Sequence, residues 1–564
     1  MKTHPPIELP EKYYLAYFES VLAHVEKHYK KLLSQSEKSF IRRYRQLSED
    51  AQCLFVRLVN RRGQYFRMDK IQYAEIEQPQ EALLLLLKGR FFAGLSSIHA
   101  EEICDILHIF TKAELISLAS MCVSEKKKMA QLRKLKKPEL ISSLCEEVGA
   151  AALIEVLAQS EQIIRLGFET EVEMIRFLFF GNLEGDMTQF VVRDIGYIKT
   201  EAYDQEKISA LFQSRQEVED KLLISRTYRK FKELRDEEAA EAAEIFKWFE
   251  QLPFNRESLS ELAWPQYDKL CLRLGKLLEQ QAQPEMALCV FLHTEQPPAR
   301  ERRVRLMHKL GQVEEALQLC QRMQESPFNA DEHFFASDFC DRIQKKKRTR
   351  LATDYLRNSE SIMISSEYSH QVEAAALQYY LERGQEGAFT ENYLWRGCFG
   401  LLFWDIIFDQ ESEAIHHPLQ TTPSDFYSSL FLQKRKKAIQ KRLKVLHHKE
   451  RFLNIVRHHH TDKMGMSNPM VGWHDSLLEL VERVYFCLKP EQLAKVMLEM
   501  ARDLRENSRG FPDLFVWDEK GYSFIEIKSP NDQLSAQQLY WLHFFEKQKI
   551  NAKVLRVNWE KMAD

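Results

Sequence analysis

The sequence predicts a mainly α, multidomain protein that closes in a smaller α/β unit. Only 18 Gly and 17 Pro punctuate its 564 residues, so long irregular linkers are not expected. Apolar residues recur at helical spacing as far as about residue 390. Beyond residue 510 the pattern becomes two short runs of period two, separated by four turn-forming residues. At roughly 100–200 residues per domain, the length implies about three or four domains.

Residues 1–75 read as a helical region. Aromatic and apolar residues recur at helical spacing from Tyr14 to Phe18, from Phe40 to Tyr44 and from Ala51 to Leu58, and Arg61, Arg62 and Gly63 end the pattern. Tyr65, Phe66, Ile71 and Tyr73 are strand formers and predict a small winged element over 63–76. Residues 76–160 are expected to form a second helical domain. Thr111 and Glu114 make a capping box for one short helix, Lys137 and Pro138 open another, and a basic connector at 126–136 joins them.

Over 161–390 helix follows helix. Pro284 to Leu288 and Val313 to Leu317 share a small-residue signature 29 residues apart, and Val372 to Leu377 echoes it, as in a degenerate helical repeat. Residues 391–564 differ. Trp395 to Phe408 is an apolar run with two tryptophans, expected as a helix buried against a sheet. A basic helix at 434–444, an amphipathic helix at 534–542 and a closing strand from Val554 to Val557 complete the order.

No apolar run is long enough to span a bilayer, and no signal-peptide pattern opens the chain. Ten scattered cysteines without a C-x-x-C pair predict neither a disulfide framework nor a zinc module, which fits a reducing cytoplasm. Net charge is −3, yet Lys and Arg cluster at 126–137, 300–305, 345–350 and 434–444. Each cluster alone reads as a solvated face; together they suit a phosphate-backbone track. His447, His448 and His458 to His460 share no helix face and read as surface or phosphate contacts, not as metal ligands.

The most informative stretch is the hairpin. Asp513 to Trp517 and Tyr522 to Lys528 read as strands joined by Asp518 to Gly521. With Trp517 opposite Tyr522, Asp513 falls opposite Glu526, their Cβ atoms roughly 4.5–5.5 Å apart. Lys528 shares that face, and Leu514, Val516, Ile525 and Ile527 line the reverse. Opposed carboxylates repel, and a hard cation such as Mg²⁺ or Mn²⁺ resolves the conflict. A metal there polarises a phosphate and activates water, while the lysine orients that water or offsets developing charge. This is the logic of a PD-(D/E)xK nuclease site. An ordinary charged hairpin face is the alternative, which spacing alone leaves open.

Gly510, Phe511, Pro512 and Asp513, with Glu526, Ile527, Lys528 and the run from Ser529 to Gln538, resemble the VRR-NUC domain (virus-type replication-repair nuclease). Glu391, followed by Gly400 to Phe408, is similar to the Fanconi-associated nuclease family in its bacterial form. There a SAP-like domain, a TPR-like domain and a VRR-NUC domain occur in this order. The resemblance implies an N-terminal helical DNA-binding region at 1–75, a SAP-like domain at 76–160, a TPR-like domain at 161–390 and the nuclease domain at 391–564. It implies metal-binding carboxylates at Glu391, Asp513 and Glu526, with the backbone carbonyl of Ile527 as a further ligand. Lys528 is implied as the catalytic lysine, Gln538 as a supporting residue, and one or two Mg²⁺ or Mn²⁺ ions as the cofactor.

The implied activity is a structure-specific DNA nuclease, a 5′ flap endonuclease and 5′→3′ exonuclease in interstrand crosslink repair. Its expected partner is 5′ flap or branched DNA, and its expected place is the bacterial cytoplasm at the nucleoid. Eukaryotic members carry an N-terminal ubiquitin-binding zinc finger; no Cys/His pattern for one is present, so none is expected. Arg300, Arg302, Arg303 and Arg305 suit either a 5′-phosphate pocket or a surface ion-pair network. Alternative activities are cleavage of four-way junctions or RNA, or a repair scaffold with a decayed nuclease. The complete set of Glu391, Asp513, Glu526 and Lys528 argues against decay.

Overall fold

The computed structural model describes residues 9–61, 63–94, 102–123, 125–160, 162–236, 241–347, 349–368 and 370–560. Arg62, and Arg348 of the basic cluster at 345–350, lie outside them. The chain divides after Tyr197 into two compact units.

In the first unit the helices Tyr13–Tyr29, Gln35–Arg45 and Glu49–Val59 bury Phe18, Phe40, Tyr44 and Phe55 in one aromatic cluster. Strands β1 (Tyr65–Arg67), β2 (Phe92–Gly94) and β3 (Ile163–Leu166) form an antiparallel sheet in the order β1-β3-β2. The strand formers Tyr65 and Phe66 therefore do enter a sheet, but their partner lies about a hundred residues on.

Five helices follow β2: Ile103–Leu107, Lys112–Cys122, Lys126–Leu132, Lys137–Glu147 and Ala150–Ser160. They enclose Ile106, Leu115, Leu140, Leu144 and Leu157. The capping box of Thr111 and Glu114 forms. The expected basic connector is itself helical over Lys126–Leu132, because Lys, Met, Ala, Gln and Leu are all strong helix formers. Cys104 and Cys145 are disulfide-bonded, a single pair and not a framework; a separation of 41 residues gives no spacing signal for it.

In the second unit the helices Arg215–Asp236 and Ala242–Glu250 precede a run in which each helix packs on the next: Trp264–Gln280, Pro284–Phe291, Ala299–Lys309, Val313–Glu325 and Ala330–Gln344. Ala287 and Ala316 of the repeat signature are fully buried between them. The third echo is not part of this stack. The Val372–Leu381 helix lays Ala376 and Tyr380 against Leu514, Val516, Ile525 and Leu555 of a sheet. Alanine at such spacing marks any close-packed helix, whatever it packs on.

That sheet has the order β4-β8-β7-β6-β5. Its strands are β4 (Glu360–Ser365), β5 (Glu386–Phe389), β6 (Leu514–Trp517), β7 (Tyr522–Lys528) and β8 (Ala552–Glu560). β8 lies between β4 and β7 and is parallel to both, while β6 is antiparallel to both of its neighbours, β5 and β7. β4 and β5 come from before residue 391, within the segment read as repeat. The second face of the sheet is covered by Trp395, Phe399, Trp541 and Phe545, which meet Phe515 and Phe524. The apolar run is thus a buried helix, Tyr393–Leu402, followed by a short second one, Trp404–Ile407.

Candidate active site

The hairpin of β6 and β7 has the register its turn implies: Trp517 pairs with Tyr522, Phe515 with Phe524 and Leu514 with Ile525. Asp518 Oδ1 closes the turn by accepting the backbone N–H of Lys520 at 2.7 Å and of Gly521 at 2.9 Å. One step beyond the last pair stand Asp513 and Glu526. Asp513 turns one oxygen to the strand, where Oδ2 accepts the N–H of Ile527 at 2.7 Å.

The helix Ala536–Lys547 supplies the lid of this corner. Ser535 caps it, with Gln538 as the reciprocal capping partner. That cap fixes Gln538 in one orientation: its Oε1 accepts the N–H of Ser535 at 2.9 Å and Lys528 Nζ at 3.2 Å, and its Nε2 donates to Glu526 Oε1. Lys528 Nζ also reaches Glu526 Oε1 at 2.8 Å. Gly510 lets the helix come this close. Its φ is +80°, and a Cβ there would sit 2.9 Å from the backbone of Gln537.

Glu391 arrives from another direction. The N–H groups of Thr390 and Glu391 both donate to the carbonyl of Asp513, at 2.8 and 3.1 Å. Glu391 has φ +31°, an uncommon backbone conformation for a residue with a side chain. Asn392 completes the link, donating to Glu391 Oε1 at 3.2 Å and accepting the N–H of Phe511 at 3.3 Å. Glu391 itself is exposed at the rim.

Burial dominates the electrostatics. Glu526 is 1% exposed, and burial with the neighbouring Asp513 pushes its carboxyl up to about 8, against the pull of Lys528. Burial pushes Asp513 up to about 6; the Ile527 N–H and Lys528 oppose this, while Glu373 and Glu391 add to it. Glu373, on the Val372–Leu381 helix, thus acts on both carboxyls, and the sequence reading missed it. It lay in a helix read as repeat, so nothing linked it to the hairpin.

Glu526 Oε2 is buried without a hydrogen-bond partner. A buried carboxylate oxygen left without a donor, beside a second carboxylate, suits a hard divalent cation. Among the described residues, however, no three His, Cys, Asp or Glu are drawn together closely enough to hold a metal. The fit is therefore carried by Asp513 and Glu526, and Glu391 does not join them in one cluster.

The four arginines do not converge. All lie on the Ala299–Lys309 helix, with Arg300 and Arg303 on its buried side. Arg300 pairs with Glu332, donates to the carbonyl of Ser326 at 3.0 Å and covers the ring of Phe328. Arg303 pairs with Glu295, and Arg305 with Glu301 at 2.8 Å. Arg302, 3.6 Å from Glu279, lines a groove of about 1860 Å³ together with Arg273, Lys276, Arg505 and Lys547. Asn507, also in the groove wall, accepts Gln537 Nε2 at 3.3 Å, one residue from Gln538.

Family models match two parts of the chain: the FAN1 HTH domain over residues 12–93 and the VRR-NUC domain over residues 448–559. The Fanconi-associated nuclease 1 homolog of Pseudomonas aeruginosa is 27% identical over 98% of this chain and 97% of its own length. The Arabidopsis thaliana homolog is 24% identical over 93% of this chain, which spans only 64% of that longer protein. A crystal structure of paFAN1 bound to 2nt 5′ flap DNA with gap superposes with a TM-score of 0.82. It is 25% identical and covers 99% of this chain and all of that one. With a VRR-NUC match on the hairpin that builds this corner, and similarity along nearly the whole length, the chain resembles the Fanconi-associated nuclease family from end to end.

Proposed function

We propose that this nuclease is a metal-dependent, structure-specific phosphodiesterase that cuts 5′ flap DNA and degrades DNA 5′→3′, in interstrand crosslink repair. The observation that carries the metal dependence is the buried, unpartnered Glu526 Oε2 beside Asp513. Asp513 and Glu526 would hold Mg²⁺ or Mn²⁺, with the Ile527 carbonyl as a further ligand and Glu391 joining them once its exposed side chain turns in from the rim; the ion would supply a Lewis acid and lower the pKa of bound water. Lys528 orients the attacking water and offsets charge on the phosphoryl group, and Gln538 holds Lys528 and Glu526 in place. The flap preference rests on the related protein whose structure holds 5′ flap DNA.

For the 5′ phosphate we propose the groove, not the four-arginine cluster. Arg302 is the member of that cluster that lines it, beside Arg273 and Lys276. Substrates lacking the phosphate are then expected to bind more weakly, and equal binding would sink the idea. For the domain order we propose that the nuclease fold starts before β4 rather than at residue 391, since the sheet is incomplete without β4 and β5.

The deciding experiment is cleavage of labelled flap, four-way-junction and RNA substrates with Mg²⁺, Mn²⁺ or Ca²⁺. Lys528→Ala is expected to abolish cutting while DNA binding remains. Undiminished cutting by the purified variant would refute the mechanism, and a preference for junctions or RNA would replace the substrate.

A further inference from the structure

The basic helix is unused by the site above. Leu430–Leu443 turns Phe431, Arg435 and Ile439 inward. Arg435, 2% exposed, donates to the Ile406 carbonyl at 2.9 Å, to Asp425 at 2.7 Å and to Ser412 Oγ at 2.7 Å, and covers the ring of Phe431. These contacts fix the rotation of the helix about its axis. Lys434, Lys437, Lys441 and Lys444, at i, i+3, i+7 and i+10, are consequently exposed in one outward stripe. At 1.5 Å per residue it is about 15 Å long.

The stripe lacks the counter-charges that an ordinary solvated face carries. Residues 430–451 contain one carboxylate, Glu450. Arg435 and Arg442 are neutralised by Asp425 and Asp405, but Lys434, Lys436, Lys437, Lys441 and Lys444 are in none of the ion pairs found among the described residues. Some lysines elsewhere pair, as Lys128 does with Glu147 and Lys207 with Glu411, and others do not; this helix differs in setting five unpaired ones so close together. Five like charges within eleven residues repel one another, and a polyanion relieves that cost. Tyr427, Ser428 and Ser429, just before the helix, line the groove, so the stripe runs on from its rim.

We propose that this stripe is an exosite for the phosphate backbone of duplex DNA, outside the cleavage corner. The proposal rests on the DNA-nuclease reading above. Lysines act as point charges without the fork that reads base edges, so the contact is independent of sequence.

The test is the salt dependence of binding to a blunt duplex of about three helical turns, in EDTA. Quadruple substitution K434Q/K437Q/K441Q/K444Q is expected to flatten the plot of log K against log salt by about 0.9 for each phosphate that the protein no longer neutralises. The corresponding quadruple Lys→Arg protein is expected to keep the wild-type slope. Thermal unfolding of both should match wild type, as all four side chains are exposed. An unchanged slope in the glutamine protein overturns the exosite, and so does an equal loss in the arginine protein. Stripe-dependent binding to phosphatidylserine vesicles with an unaltered DNA slope overturns it in favour of a lipid surface. The nuclease reading is scored separately, by wild-type cleavage with Mg²⁺ in the same preparation.

Discussion

Glu526 shows how one buried side chain can announce a cofactor. Its carboxyl is raised to about 8 and that of Asp513 to about 6, against roughly 4 in an unfolded chain. A raised carboxyl favours the folded state only while protonated. In EDTA, the stability these groups contribute is therefore full below about pH 4 and falls as pH rises through 6 and 8. Melting temperature against pH in EDTA should show this decline, and Glu526→Gln should remove most of it. Added Mn²⁺ is expected to raise the wild-type melting temperature near pH 8 and to leave Asp513→Ala unchanged. Gln538→Ala, which frees Lys528 and Glu526 to move, is expected to lower the cleavage rate by about 10–100-fold while flap binding stays near wild type. Asp513, Glu526 and Lys528 were legible because a strand's period of two and a counted turn fix which side chains share a face. Glu373 was not, since only tertiary packing brings its helix to that corner.

At the scale of elements, caps and buried polar groups hold the parts in register. Arg435 and Asp425 form a pair only 1% and 4% exposed. Removing one member strands the other, at a cost of about 3–5 kcal/mol. Arg435→Met should lose that much in urea unfolding, and adding Asp425→Leu should restore a large part of it. Helices with strong caps or clear apolar spacing were readable in advance, including the Ser535 and Thr111 starts. β4 and β5 were not: each is short, at an edge of the sheet, and pairs with residues more than a hundred positions away. The same reason hid the pairing of β1 with β3.

The whole molecule comprises two compact units that meet in sequence at Tyr197 and Ile198, each with its own buried core. Independent cores predict that calorimetry will show more than one unfolding transition, with Mn²⁺ shifting only the one that belongs to residues 198–564. The mainly helical class with a terminal α/β unit was legible from composition and period. How the unit recruits strands from far upstream was not, because local sequence does not record the partners of a parallel strand.

The position of β8 has a consequence for how the enzyme is made. This strand follows every other in sequence, yet it is inserted between β4 and β7 and hydrogen-bonded to both. Until Ala552–Glu560 has left the ribosome, the strand carrying Glu526 and Lys528 has an open edge, and β4 has no partner. A half-synthesised chain thus emerges with its helical, charge-bearing portion first and its cutting corner last. The order of the strands leaves completion of this corner to the last strand that is made.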